Sequence, residues 1–211
     1  IEDKKISLIK DDGYGFILDP LRMIRAVRFA ATLNFEIDDE TNEQIINKIN
    51  LLEDVARERI YSEFKKIMLS KKPSYVINKY RDVFEYLIPE LVKMDEIRHH
   101  NQKHHQEETV LEHTLWVLDA TDANLVLRIA ALFHDTGKIK TQTVDEDGKT
   151  HFHNHAEVSC ECFKKFAKLI KMDYDTRDAV LLLIANHSFD PEDYNDNMLK
   201  RFLARFDLNY L

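Results

Sequence analysis

The sequence predicts an all-α protein, and three observations carry that expectation. Glycine and proline are scarce, four of each in 211 residues, so few positions break a helix. Long stretches repeat apolar residues at the three- and four-residue spacing of a helix face. Apolar residues make up 44% and charged residues 32%, the balance of a globular chain that can bury a core rather than of a disordered one.

Taken in order, the elements begin with Asp19-Pro20. This pair reads as an N-cap followed by proline at the first helical position, opening a helix that runs to about Leu33. Further helices are expected over 40–51, 55–69, 74–86, 109–121 and 124–134, and then over 155–171, 176–187 and 196–206. The stretch 141–153 holds Asp145-Glu146-Asp147-Gly148 between β-prone flanks, which fits a small hairpin or a long loop. All ten histidines lie at or after residue 99. That asymmetry divides the chain into an expected first domain over 1–98 and a second over 99–211, with imidazole chemistry confined to the second.

Composition also excludes classes of function. No apolar run approaches the roughly 20 residues of a membrane helix, and nothing near Ile1 resembles a signal peptide. A cytoplasmic protein with no membrane partner is expected, and the non-Met start reads as part of a longer chain. Cys160 and Cys162, two apart in a helical stretch, point to different faces and suit neither a disulfide nor a zinc knuckle, so they read as reduced thiols. The net charge of −8 is not that of a polybasic binder, although a local basic stripe remains compatible with it.

The strongest local signal is Leu132-Phe133-His134-Asp135-Thr136-Gly137-Lys138. The apolar helical run 127–133 delivers an adjacent His and Asp to its C-terminal end, where Gly137 is expected to stop it. Buried, such a pair is costly unless partnered or ligated. An imidazole nitrogen beside a carboxylate oxygen suits a divalent cation that keeps positions open for water and substrate. Lys138 is placed to meet a phosphate. His113 lies on an amphipathic helix with Leu111, Leu115 and Leu118, His155 opens a helix after the loop, and His187 closes the apolar run 179–186. Each alone reads as an ordinary hydrogen-bonded histidine; together with His134-Asp135 they read as a metal site.

The segments His105–Thr114 and Ala131–Lys138 resemble the first two motifs of HD-superfamily phosphohydrolases, and His153–Ser159 and Ala185–His187 resemble the later histidine motifs. The resemblance implies His113, His134 and Asp135 as metal ligands, with His155 and His187 completing a second position or contacting phosphate. It implies His134, Asp135 and Lys138 as the catalytic set in a metal-assisted hydrolysis. The family's distal aspartate has only Asp207 as a late candidate, in a context that matches poorly, so that ligand is expected beyond Leu211. Histidine and carboxylate sets leave the divalent metal open among Mg, Mn, Ni, Co and Fe.

In the first half, Arg22, Arg25 and Arg28 recur every three residues on one side of the helix, opposite an apolar stripe of Leu21, Ile24, Val27 and Ala31. On spacing alone this is equally a solvated basic face. Asp19 to Phe29, with Leu33–Asp38, Glu58-Arg59-Ile60, Glu63–Met68 and Tyr86–Leu91, is similar to the neck of bacterial tRNA nucleotidyltransferases and the related poly(A) polymerases, which often carry an HD domain next. The resemblance implies a helical neck, or RNA-binding domain, followed by a helical HD domain. It implies Asp19 and Arg22 as a protein template for the incoming nucleotide and Arg25, Arg28 and Arg59 as RNA contacts. Adenine and cytosine pair an amino donor with a ring-nitrogen acceptor, which a carboxylate and a guanidinium complement.

Leu18 stands where that family commonly has a second acidic residue, so addition of CCA from CTP and ATP and addition of poly(A) from ATP both stay open. The implied partners are tRNA or other RNA 3′ ends, with ATP and CTP in the intact parent. The family's polymerising head, with its paired aspartates, has no counterpart before Asp19. A free-standing HD nucleotide phosphohydrolase and an RNA-binding module with a structural HD site are the other readings.

Overall fold

The computed structural model describes residues 4–8, 14–98 and 108–188. The first half runs β1 (Lys5–Ile6), α1 (Tyr14–Leu18), α2 (Leu21–Leu33), β2 (Glu36–Ile37) and α3 (Asp39–Lys48). A 3-10 turn (Ile49–Asp54) leads to α4 (Arg57–Met68), α5 (Pro73–Lys79), α6 (Arg81–Leu87) and α7 (Glu90–Met94). The second half holds α8 (Val110–Ala120), α9 (Leu125–Phe133), the short α10 (Lys138–Thr141), β3 (Gln142–Val144), β4 (Thr150–Phe152), α11 (His155–Leu169) and α12 (Tyr174–Asn186). The all-α expectation holds, and β3 and β4 form the antiparallel hairpin expected over 141–153. The short parallel pair of β1 with β2 carries too few residues to leave an alternating pattern. The helix expected over 196–206 lies outside the described residues.

Several boundaries move for identifiable reasons. The expected helix over 74–86 is broken at Tyr80, whose ring is buried and whose hydroxyl accepts the Ile37 N–H at 2.8 Å. Sinking that ring into the core turns the chain between α5 and α6. The segment expected over 40–51 leaves α-geometry after Lys48 and tightens into the 3-10 turn. On α2 the buried stripe takes Ala30, with Met23 and Ala26, where Ala31 was expected. Asp19 does not cap α2: Pro20 stands at the cap position, and no side chain accepts from the first turn.

The two halves share one core. Phe64 of α4 packs edge-on against Phe166 of α11, with ring centroids 5.2 Å apart, and Phe133 of α9 meets Phe166 at 4.9 Å and Phe163 at 5.3 Å. Arg128, on α9 and only 4% exposed, crosses the seam. Its Nη1 donates to the carbonyls of Met68 and Ser70, each at 2.5 Å, and its Nε to that of Thr121 at 3.3 Å. One guanidinium thus satisfies acceptors left over at the ends of α4 and α8. Because those carbonyls have no water to turn to, Arg128→Met should cost about 3 kcal/mol or more. Urea unfolding should show a lower midpoint with an unchanged slope, and Arg128→Lys, which lacks the fork, should recover little of it.

Candidate metal centre

Four elements bring five side chains to a common cavity of about 400 Å³. His113 comes from the middle of α8, whose start is fixed by a capping box between Thr109 and Glu112. His134 and Asp135 leave the C-terminal end of α9, whose apolar body is buried on nearly every side. His155 is the first residue of α11 and His187 follows the last of α12. Every histidine singled out in the sequence, with Asp135 and Lys138, lines this cavity.

Asp135 is 1% exposed, and its two oxygens face different partners. Oδ2 lies 2.8 Å from Lys138 Nζ, 3.1 Å from His134 Nε2 and 3.9 Å from His113 Nε2. Oδ1 lies 3.5 Å from His155 Nε2 and 3.7 Å from His187 Nε2, with no hydrogen bond of its own. Burial pushes the carboxyl up, but hydrogen bonding with His134, and then the charges of His134 and Lys138, outweigh it and hold Asp135 well below the usual carboxylate range. Burial pushes the His155 imidazole below its ordinary value of 6.5, so it is neutral at pH 7.

The imidazole tautomers follow from the second contact each ring makes. Nδ1 of His134, His155 and His187 lies 2.8 Å from the carbonyls of Ala131, Phe152 and Ile184 respectively. A carbonyl only accepts, so each Nδ1 carries a proton and each Nε2 faces the cavity, where it can give a lone pair to a cation, the orientation that metal-binding histidines take. Nε2 of His155 and of His187 are 2.9 Å apart. Two lone pairs at that distance repel unless a proton or cation lies between them. Two overlapping groups can hold a cation, His113 with His134 and Asp135, and Asp135 with His155 and His187, their ligand atoms all within 4.8 Å of one another in each group. The donor set, the tautomers and the orphaned Oδ1 fit a divalent metal.

Lys138 is 6% exposed and spends its ammonium on Asp135, with Phe152 beneath it at 5.3 Å, rather than projecting outward. Gly137 does not stop α9 by a left-handed turn, because its φ is −70°. A Cβ there would lie 2.0 Å from the His155 carbonyl oxygen and 2.6 Å from the Ser159 nitrogen. Its lack of a side chain is what lets α11 start against the end of α9. Ser159, which sequence reasoning passed over, closes that contact: the Gly137 N–H donates to its Oγ at 2.8 Å, and its hydroxyl donates to the His134 carbonyl at 2.7 Å. Its position inside the His153–Ser159 motif, on the buried face of α11, was the available signal. Gly148 turns the hairpin and Asn154 then starts α11, both at positive φ. Asp207, the late candidate whose context matches the distal ligand poorly, lies outside the described residues, as do His105, Gln106 and Glu107 of the first motif.

At the other end of the molecule, Arg22 and Arg25 are exposed and border a shallow cavity of about 340 Å³ with Ile6, Phe16 and Phe29. Asp19 accepts from Arg59 at 3.4 Å, an exposed pair. Arg28 is turned the other way, 2.7 Å from Glu63 in a mostly buried ion pair that fastens α2 to α4. The arginine row therefore has two exposed members and one structural one. Both thiols are pushed up by burial, in keeping with inert reduced cysteines.

Residues 34–94 match the family described as "Probable RNA and SrmB- binding site of polymerase A", and residues 110–207 match the HD domain family. The two segments follow in the order that the neck and metal-site motifs require. The chain thus joins a segment similar to the RNA-binding region of polymerase A to a segment similar to the HD domain. Its relatives include the CC-adding tRNA nucleotidyltransferase of Thermus thermophilus, 29% identical over 202 residues, covering 90% of this chain and 46% of the relative. The Multifunctional CCA protein of Shewanella frigidimarina is 29% identical over 197 residues, covering 89% of this chain and 47% of the relative. The chain thus spans about half the length of these curated relatives. A tRNA-processing enzyme solved with CTP shares the fold at a TM-score of 0.54 and 18% identity, covering 98% of this chain and 52% of that one. A CCA-adding enzyme solved with CTP does so at 0.51 and 16%, covering 98% and 48%.

The clearance at Gly137 is testable. Gly137→Ala must push the first turn of α11 away from α9, at a cost of about 2 kcal/mol or more for forced overpacking. Because His155 moves with that turn, thermal unfolding should show both a lower midpoint and a smaller gain on adding Mn2+ than the wild type shows.

Proposed function

We propose that this chain is the neck and HD portion of a tRNA nucleotidyltransferase whose parent adds CCA, or poly(A), to RNA 3′ ends, and that its HD half is a metal-dependent phosphohydrolase. The observation that carries the second part is Asp135, buried with one oxygen toward each of two histidine groups. His113, His134 and Asp135 would hold one divalent ion, and Asp135, His155 and His187 a second. A bound divalent ion supplies an acidified water and polarises a phosphoryl oxygen. The chain's own residues then do the rest. The Nδ1 contacts aim three imidazoles inward, and the buried Lys138, paired with Asp135, helps keep that carboxylate ionised at the cavity wall. Phosphoesters at RNA ends, cyclic phosphates among them, are the substrate class that suits a neighbour acting on RNA.

The first part rests on the relatives and on the exposed face of α2. Asp19 is not used as a cap, and a base beside Arg22 competes for its carboxylate only with the exposed pair to Arg59 at 3.4 Å. Arg25 and Arg59 are placed to meet phosphates, and Arg28, through Glu63, sets the alignment of α2 and α4 on which the others depend. ATP and CTP are the nucleotides that this donor–acceptor pair selects, tRNA is the partner, and the setting is cytoplasmic. Among the described residues no helix is long and apolar enough to cross a membrane.

Two experiments test these parts separately. Elemental analysis of the purified chain, with a His134→Ala/Asp135→Ala control, should find divalent metal in the wild type and little in the variant, and hydrolysis of a 2′,3′-cyclic phosphate should follow the metal. Equal metal content in both would remove the hydrolase assignment. In the intact parent, Asp19→Asn should leave the thermal midpoint nearly unchanged, because the exposed pair with Arg59 contributes little. It should weaken selection for ATP and CTP by about 5- to 150-fold, the worth of one bidentate base contact. Unchanged preferences among the four nucleotides would move base reading elsewhere.

A further inference from the structure

A second charged surface lies outside both sites. Lys164, Lys168 and Lys171 are exposed along one side of α11 and its end, spaced by four and three residues so that they share a face. With Tyr174 and Arg177 of α12 they line a groove of about 850 Å³. The two carboxylates in that groove are already engaged. Asp173 caps α12 by accepting the Thr176 N–H at 2.8 Å, and Asp178 is bound by Arg177 at 2.7 Å. Tyr174 is 72% exposed, and the Arg177 guanidinium lies 4.7 Å from its ring centre, forming a flat cationic and aromatic surface. Lys168 in the last turn complements the helix dipole; that role leaves Lys164, a turn earlier, unexplained, and Lys171 beyond the end extends the row toward the neck. On a chain of net charge −8, such a local excess of cations selects for a polyanion.

The groove is also joined to the neck. Lys171 Nζ lies 2.7 Å from Glu58 Oε1 in the first turn of α4, and Asp173 lies 3.5 Å from the Tyr61 hydroxyl. The residue after Glu58 is Arg59, which holds Asp19. The lysine row therefore ends beside the residues assigned to nucleotide reading.

We propose that Lys164, Lys168 and Lys171, with Tyr174 and Arg177, form a rail on the HD half that holds the unpaired segment of an RNA whose end is read at Asp19. The lysines meet successive phosphates, and Tyr174 with Arg177 stacks a base. This rests on the reading that the parent acts on RNA, and its test separates the two. A 5′-fluorescein RNA hairpin with an unpaired 3′ tail is titrated with the chain at several salt concentrations and followed by anisotropy. Lys164→Gln/Lys168→Gln/Lys171→Gln is compared with Lys93→Gln/Lys140→Gln/Lys149→Gln, which removes the same charge from exposed sites elsewhere. Circular dichroism checks that both fold.

The rail variant should bind at least about tenfold more weakly, with a salt dependence shallower by about 2, since each single-strand phosphate contact contributes roughly 0.7 to that slope. Tyr174→Ala should weaken binding at least about fivefold and leave the salt slope unchanged. The control triple variant should stay within about twofold of wild type. If both triple variants bind like wild type, the rail is wrong and the RNA reading stands. If the wild type does not bind the hairpin, both fall. If the rail variant loses binding only to phosphatidylserine vesicles, the groove is a lipid surface and the proposal is overturned.

Discussion

A carboxylate that is 1% exposed at the end of an apolar helix sets the terms for the second half of this protein. Left alone in that environment Asp135 would take up a proton, because burying an unpaired charge costs more than shifting a pKa. The surroundings prevent it. Lys138 and His134 hold Oδ2, and two further imidazoles face Oδ1. Each of those groups, and His113 at 3.9 Å, needs an element to bring it in, so α8, α10, the start of α11 and the end of α12 are arranged around one carboxylate. The tightest join, Gly137 against the first turn of α11, exists because His155 has to reach it.

The neck is tied to that arrangement through α4. Its buried face presents Phe64 to Phe166 of α11, and the end of the helix delivers the Met68 carbonyl to Arg128. Its exposed first turn carries Glu58 toward Lys171 and Arg59 toward Asp19. One helix therefore links the exposed face of α2 to the HD half. Arg28 and Glu63 do the same for α2, at the expense of one cation that the sequence offered to RNA.

What the sequence disclosed depended on how local the cause was. His134, Asp135, His113, His155 and His187 stood out because imidazole and carboxylate at the ends of apolar helical runs have a chemical reason to be there, and all five meet in one cavity. The hairpin was legible from Asp145–Gly148, whose turn chemistry is local. The break at Tyr80 was not, since it depends on the Ile37 N–H 43 residues away. Nor was the true reason for Gly137, which is the backbone of α11 lying against it. Asp19 before Pro20 looked like a cap, but α2 starts without one and the carboxylate turns to Arg59 from another helix. Arg22, Arg25 and Arg28 looked equivalent because their spacing is uniform; Glu63, on a different element, separates them.

The inward-facing nitrogens around Asp135 serve either a cation or a purely polar core. Calorimetric unfolding of the chain in chelator and in saturating Mn2+ measures that directly, because a ligand that binds only the folded state stabilises by about 2.7 kcal/mol at a hundred times its dissociation constant. For a chain of this size that corresponds to a midpoint raised by roughly 5–10 °C. A rise of that order, abolished in Asp135→Asn, is the predicted result. Coincident transitions in chelator and in Mn2+ would contradict the account, and the cluster would then be a polar core held by Lys138 and shared protons alone.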